Sequence, residues 1–380
     1  MDKKRILVIG STSTSLTNFR GDFIKSLINE GYHVYTAACD YSDKTLNILK
    51  GYGVTSTLEY KLQRTGLNPF NDIKTIYDIK KLIKDNHIDL VFPYTVKPVI
   101  YGSIAANMCN VSVISLITGL GFTFTGLTFK SKVLQRLNEF LYKRSIRKNK
   151  AIIFQNNDDK KLFFDRKILT SKNRTEVVSG SGVNLNQFKF KENIKTNKPT
   201  SFIIVARLIR EKGINLFIDA AKILKKNYPS AEFHVIGPAQ TSPSAIKIDE
   251  LNSLNDSGTL IYHGRQSNIL AHLTDRDVFV LPSFYREGVP RSILEALSVG
   301  LPIITTDAPG CRETVIDKEN GFLIPTQNLE ALTNAMEYFI TKPEKILEMG
   351  AKSREYAEKR FDVNIINSNL ISIINSIFNT

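Results

Sequence analysis

Short apolar, β-branched runs alternate with helix-period segments along this chain, and the alternation begins a second time near residue 200. Parallel strands need a crossover between them, usually a helix. The pattern therefore restricts the chain to parallel sheets with helices on both faces. Strands are expected at Arg5–Gly10, His33–Ala38, Leu90–Phe92, Val113–Leu116 and Ala151–Phe154, with helices that include Gly21–Glu30, Asp72–Asp85 and Ser131–Lys148. The stretch Lys189–Pro199 is polar, charged and closes in proline, so it reads as a linker. A second strand series follows at Ser201–Val205, Glu232–Ile236, Thr259–Tyr262, Val278–Leu281 and Pro302–Thr305, with helices at Asn215–Lys226, Arg291–Val299, Asn328–Ile340 and Lys345–Lys359. The 380 residues suffice for two domains of ordinary size. The expected division is 1–190, 191–360 and a C-terminal helix, 361–380, that can return to the first domain. Ligands in such sheets bind beyond the carboxyl ends of the strands.

One segment behind a second-series strand concentrates chemistry. Ser283–Ala296, SFYREGVPRSILEA, sets Glu287 and Glu295 eight positions apart around a Gly-Val-Pro turn and a helix start. Free backbone N–H groups and the helix dipole at such a start attract anions. The two carboxylates can reach either end of a ligand with a central phosphate and hydroxyls on both sides. A helix with acidic residues near its start is the plain alternative. Upstream, Arg207 and Lys212 lie between the end of one strand and the next helix. Two fixed cations can stabilise a diphosphate that departs with growing negative charge, although either alone is more often a solvated surface charge. Loops at Gly237-Pro238, Gly264-Arg265 and Asp307–Glu313 also follow strands; each is a plain turn or a place where backbone approaches a ligand.

Other chemistries lack support in the sequence. The first strand leads into Ser11–Asn18, rich in hydroxyls, with no G-x-G-x-x-G and no P-loop lysine. Ser13 and Ser15 there can meet a phosphate or sugar hydroxyls, or simply cap a helix. Three scattered cysteines (Cys39, Cys109, Cys311) and five histidines show no disulfide framework or metal-ligand spacing, which points to a reducing compartment. MDKKRILVIG reads as a first strand, and Val111–Ile117 is too short to span a bilayer.

Charge is uneven. Residues 1–200 hold 32 Lys and Arg against 16 Asp and Glu, a balance of +16, whereas residues 201–380 hold 19 against 21, or −2. A basic half suits an anionic partner or serves solubility alone. Phe122 and Phe124 precede a basic helical segment carrying Lys132, Arg136, Lys143 and Arg144, with Val133, Leu134, Leu137, Phe140 and Leu141 at roughly helical spacing. That is the pattern of a membrane-surface segment, or of a helix packed on its own domain. The basic residues are dispersed without a nucleic-acid motif, so no nucleic acid is expected.

VARLIREKG, YREGVPRSILEALSVGLPIITTDAPGCRETV and NGFLIP together resemble the donor-binding half of the retaining GT-B glycosyltransferases of family 4. GLNPF (Gly66–Phe70), TGLGFTF (Thr118–Phe124) and VSGSGVNLNQF (Val178–Phe188) resemble bacterial members that extend polyprenyl-diphosphate-linked sugars. The resemblance implies two Rossmann-like domains facing a central cleft, a UDP-sugar donor, no metal and no other cofactor. It implies a lipid-diphosphate-linked saccharide as acceptor and a place on the inner face of the bacterial cytoplasmic membrane, in O-antigen or capsule synthesis. Glu295 would bind ribose hydroxyls, and Arg207 and Lys212 the diphosphate. Glu287 and the backbone of Gly288, Val289 and Arg291 would meet the donor sugar, with Gly310 and Cys311 bordering the pocket. Two departures fall on the acceptor side. Where many members place a His, this chain has Thr118 and Gly119, and a Ser/Thr run replaces their Gly-Gly loop. An epimerase or phosphorylase on the same fold is the alternative, without a matching lysine-cofactor or His/acid signature.

Overall fold

The computed structural model describes residues 3–63, 68–121, 124, 129–191 and 198–379, with the side chains of 129–132 excepted. The chain forms two compact units, Met1–Ser181 with Val363–Thr380, and Gly182–Asp362.

The first unit is a seven-stranded sheet in the order β3-β2-β1-β4-β5-β6-β7. Its strands are β1 (Arg5–Ile9), β2 (His33–Ala38), β3 (Ser56–Glu59), β4 (Leu90–Pro93), β5 (Ser112–Ile117), β6 (Ala151–Phe154) and β7 (Thr175–Val177). Every pairing is parallel. Side chains of β1 alternate between two cores: Leu7 and Ile9 face one, Ile6 and Val8 the other. The first core is covered by α4 (Pro69–Asp85), α5 (Val96–Met108), α6 (Phe129–Ser145) and α7 (Asn157–Asp165). The second is covered by α1 (Ser13–Phe19), α2 (Gly21–Asn29), α3 (Asp43–Tyr52) and the last helix of the chain, α14 (Val363–Phe378). Ile366, Leu370 and Ile374 of α14 are buried there, and Asn367 donates to Ser26 at 3.2 Å.

The second unit is a six-stranded sheet, β10-β9-β8-β11-β12-β13. Its strands are β8 (Ser201–Val205), β9 (Glu232–Ile236), β10 (Ile261–Tyr262), β11 (Val278–Leu281), β12 (Ile303–Thr306) and β13 (Gly321–Ile324), again all parallel. Helices α8 (Ile214–Asn227), α9 (Ile248–Asp256), α10 (Ile269–Thr274), α11 (Arg291–Val299), α12 (Leu329–Thr341) and α13 (Glu344–Arg360) complete it.

The chain passes between units at Ser181–Gly182, ahead of the Lys189–Pro199 stretch that composition suggests. The reason is packing. Phe188 is buried in the second core, its carbonyl accepts from Ser298 Oγ at 2.6 Å and Arg354 at 3.1 Å, and Lys191 N–H donates to Val299 at 3.1 Å.

Truncating a fully buried leucine removes transfer free energy and leaves a cavity, together roughly 2–5 kcal/mol. Leu370→Ala should therefore lower the stability of the first unit by about 3 kcal/mol. In urea, the transition followed by first-unit probes should move to lower concentration, while that of the second unit stays in place.

Candidate functional site

In each unit the strand order reverses at one point, between β8 and β11 in the second and between β1 and β4 in the first. The crevice beyond the strand ends at such a switch point is where open α/β sheets bind ligands. In the second unit, the loops that emerge there carry the residues singled out from sequence.

Arg207 follows β8 by two residues. Lys212 closes a single 3₁₀ turn, Arg210–Lys212, which Gly213 ends at φ +77° to start α8. A Cβ on Gly213 would overlap the carbonyl of Pro282, so only glycine lets this loop lie against the loop after β11. There Phe284 and Tyr285 donate their N–H groups to the Glu211 carbonyl at 2.9 and 3.1 Å, and Ser283 Oγ donates to the same oxygen at 3.2 Å. The two loops are thus bonded together, and Lys212 meets Glu287 in an ion pair. Both side chains are about nine-tenths covered, and Ser283 Oγ also donates to Glu287 at 3.3 Å.

The loop after β12 completes the rim. Gly310, at φ +79°, lies so close to the Gly288 carbonyl that a Cβ would overlap it. The neighbouring Cys311 is fully buried. Burial first, then the Glu287 carboxylate, pushes its thiol up to about 12, against the pull of Thr305, Lys212 and Thr306. It is an inert wall behind Glu287. Gly237 follows β9, and a Cβ there would overlap the Ala206 carbonyl. Val289 packs its side chain in the core, which leaves only its backbone for a ligand.

Glu295 lies on α11, one turn beyond Arg291, and the two pair at 2.9 Å. Burial holds the Glu295 carboxyl above its ordinary value, opposed by the charge and hydrogen bond of Arg291. Glu287, Lys212, Arg207 and the Gly288–Gly310 backbone contact therefore group around one switch point, and Glu295 lies one turn along the helix that begins there. The sequence reading missed Tyr285. Its ring lies under both cations, 5.4 Å from the Arg207 guanidinium and 5.4 Å from the Lys212 ammonium.

The first unit's switch point holds hydroxyls. Ser11 and Thr95 share a hydrogen bond of 2.6 Å, Ser15 bonds Tyr94, and Tyr60 donates to the Gly10 carbonyl at 2.9 Å. Thr95 has φ +67° and ψ 162°, a region that side chains other than glycine adopt only under strain. Neither Tyr94 nor Thr95 stood out in the sequence. Ser13 corrects an expectation. It is buried, its N–H and hydroxyl donate to Asp40 at 2.6 and 2.7 Å, and the helix cap is Thr12. Ser13 thus anchors the loop to Asp40. Thr118 is half-buried beyond β5, and Gly119 has φ +100°.

The membrane segment divides. Phe124 is buried in the first core, 7% exposed, so it is no surface contact. Phe122 and the Lys132 side chain lie outside the described residues. Arg136, Lys143 and Arg144 are exposed, as are Val133, Leu137 and Phe140. Among the described residues, no helix is long and apolar enough to cross a membrane, and no group of three or more His, Cys, Asp or Glu is placed to hold a metal.

Removing one partner of a buried ion pair strands the other charge and typically costs 3–5 kcal/mol. Lys212→Met should therefore destabilise the second unit by about 3 kcal/mol. Adding Glu287→Gln should return part of that loss, because paired residues are non-additive. A double-mutant cycle by chemical unfolding reads the coupling, and strict additivity would contradict the pair.

Two family models match the chain: "Glycosyl transferase 4-like" over residues 5–156 and "Glycosyl transferases group 1" over residues 186–360. A Campylobacter jejuni N,N'-diacetylbacillosaminyl-diphospho-undecaprenol alpha-1,3-N-acetylgalactosaminyltransferase is 28% identical over 95% of this chain and 96% of its own length. An Escherichia coli UDP-Gal:alpha-D-GlcNAc-diphosphoundecaprenol alpha-1,3-galactosyltransferase is 30% identical over 70% of each chain. Anabaena HepE, solved in complex with UDP and glucose, superposes with a TM-score of 0.78 over 98% of this chain and 100% of that one, at 17% identity. The two sheets have the GT-B fold, and the protein belongs to the group 1, family 4-like glycosyltransferases.

Proposed function

We propose that this glycosyltransferase moves a hexose or N-acetylhexosamine from a UDP-sugar to a lipid-diphosphate-linked saccharide, with retention, in the synthesis of a bacterial surface polysaccharide such as O-antigen or capsule. The observation that carries the reading is the grouping of Arg207, Lys212 and Glu287 at the second unit's switch point, with Glu295 on the helix that starts there. The names of the two similar transferases, both alpha-1,3 and both acting on diphosphoundecaprenol-linked sugars, support the acceptor class and the configuration.

In this reading Arg207 and Lys212 hold the donor diphosphate and stabilise the charge that develops as the sugar–phosphate bond breaks. These two cations supply that charge without a metal. Glu295 accepts from the ribose hydroxyls. Glu287, fixed by Lys212 and Ser283, faces the donor sugar. Retention follows from attack on the face the leaving group vacates, with a phosphate oxygen taking the acceptor proton. Thr118, Gly119 and Ser15 belong to the acceptor side.

The lipid acceptor requires an approach to a membrane, and an anionic bilayer is the proposed surface. On α6, Val133, Leu137 and Phe140 are exposed at helical spacing beside Arg136, Lys143 and Arg144. On α4, Phe70 is 83% exposed and Ile73 and Tyr77 about half exposed, beside Lys74 and Lys81. Apolar side chains flanked by cations suit an acidic headgroup layer, at about 1 kcal/mol per cation near the surface. In this reading the enzyme sits peripherally on the cytoplasmic leaflet.

The direct test incubates the protein with UDP-hexoses and UDP-N-acetylhexosamines and a polyprenyl-diphosphate-linked aminosugar. The expected product gains one sugar, α-linked by NMR coupling, and a β-linked product would contradict retention. Glu287→Gln should abolish transfer while UDP binding largely persists. Sedimentation with acidic vesicles should be lost at high salt and weakened by Leu137→Ser with Phe140→Ser; absence of binding at any salt removes the membrane surface from the account. Because burial raises the Glu295 carboxyl, it protonates above the ordinary glutamate range and stops accepting from ribose. UDP affinity should fall as the pH is lowered from neutral toward the acid range, and Glu295→Gln should flatten the part of the profile that UDP's own ionisation leaves.

A further inference from the structure

The diphosphate reading leaves one question open: what aims Arg207 at the site. Lys212 is held by Glu287. Arg207 is exposed, and among the described residues it has no carboxylate in ion-pair range. Its guanidinium lies over the ring of Tyr285, which also lies under the Lys212 ammonium. The ring itself is fixed. The Tyr285 backbone N–H donates to the Glu211 carbonyl at 3.1 Å and also to Ser283 Oγ at 3.2 Å. Glu211 immediately precedes Lys212, so the ring is tied to the loop whose cations it supports.

An aromatic face attracts a cation through its quadrupole and carries no net charge. A carboxylate beside Arg207 would orient it equally well, but it would neutralise the guanidinium and repel an incoming diphosphate. The ring restrains the cation and leaves its charge whole. The same ring lies within 5.4 Å of both cations, so one π system attracts both like charges. We propose that Tyr285 is a positioning residue, whose ring face holds Arg207 and Lys212 ready for the donor diphosphate. The inference rests on the donor-site reading above, and it requires the ring and not the hydroxyl.

The test measures the Kd of UDP and of uridine for the wild type, Tyr285→Phe, Tyr285→Leu and Arg207→Ala. Tyr285→Phe should bind UDP within about twofold of wild type. Tyr285→Leu should weaken UDP roughly five- to tenfold and leave uridine unchanged. With a UDP-sugar, the leucine variant should lose kcat as well as raise KM, since the same cations stabilise the leaving group. Wild-type UDP affinity in Tyr285→Leu overturns the inference. So does an equal loss in Tyr285→Phe, which would assign the role to the hydroxyl, or an equal loss of uridine, which would mean general distortion. Tyr285→Gln carries the same comparison should the leucine variant not fold. A wild type that does not bind UDP, or an Arg207→Ala that binds it normally, overturns the donor reading and this inference with it.

Discussion

Backbone contact between neighbouring loops, too close to admit a side chain, is the constraint on which the second unit's site depends. Gly213 lies against the Pro282 carbonyl and Gly310 against that of Gly288. Because the loops touch at the backbone, Phe284 and Tyr285 can bond Glu211, and the Lys212–Glu287 pair closes across the gap. A Cβ at either glycine would overlap the facing carbonyl and push these loops apart, and the Lys212–Glu287 pair spans them. The parallel pairing of β8 with β11 supplies the frame, since it puts the two strand ends side by side.

Much of this was legible in the sequence, because periodicity reports burial. The strands of the second unit alternate or run apolar between turn signals, and β8, β9, β11 and β12 fall where that pattern puts them. Edge strands were harder: β3, β7 and β13 are only partly buried, so no continuous apolar run marks them as it marks the equally short but fully buried β4 and β11. α5 was hidden for the opposite reason. It is buried nearly all round, with Pro98, Val99, Ile100, Tyr101 and Gly102 successively covered, so no polar face marks it as a helix.

At the site, charge and spacing pointed to Glu287, Glu295, Arg207 and Lys212, because ionic residues beside a helix start are conspicuous. The Arg291–Glu295 pair was implicit in their i,i+4 spacing. Tyr285 and Thr95 carry no such mark. An aromatic in a loop has many uses, and a threonine at φ +67° looks like any other threonine until the backbone is seen. Phe124 misled in the other direction: an aromatic beside basic residues suits a membrane, and the fold instead buries it in the first core. The charge asymmetry between the halves stands as a property of composition, and α4 and α6 carry exposed apolar side chains beside some of its cations.

The central claim is that the second unit's switch point takes a uridine diphosphate, with Glu295 on its ribose. The most direct measurement is thermal unfolding of the wild type and Glu295→Ala in the presence of UDP, GDP, ADP or NAD. A ligand that binds only the folded state stabilises it by about 2.7 kcal/mol at a hundredfold excess over Kd. The expected result is a rise in Tm with UDP alone, lost in the variant. A rise with another nucleotide in place of UDP, or no rise with any of them at millimolar concentration, would contradict the claim.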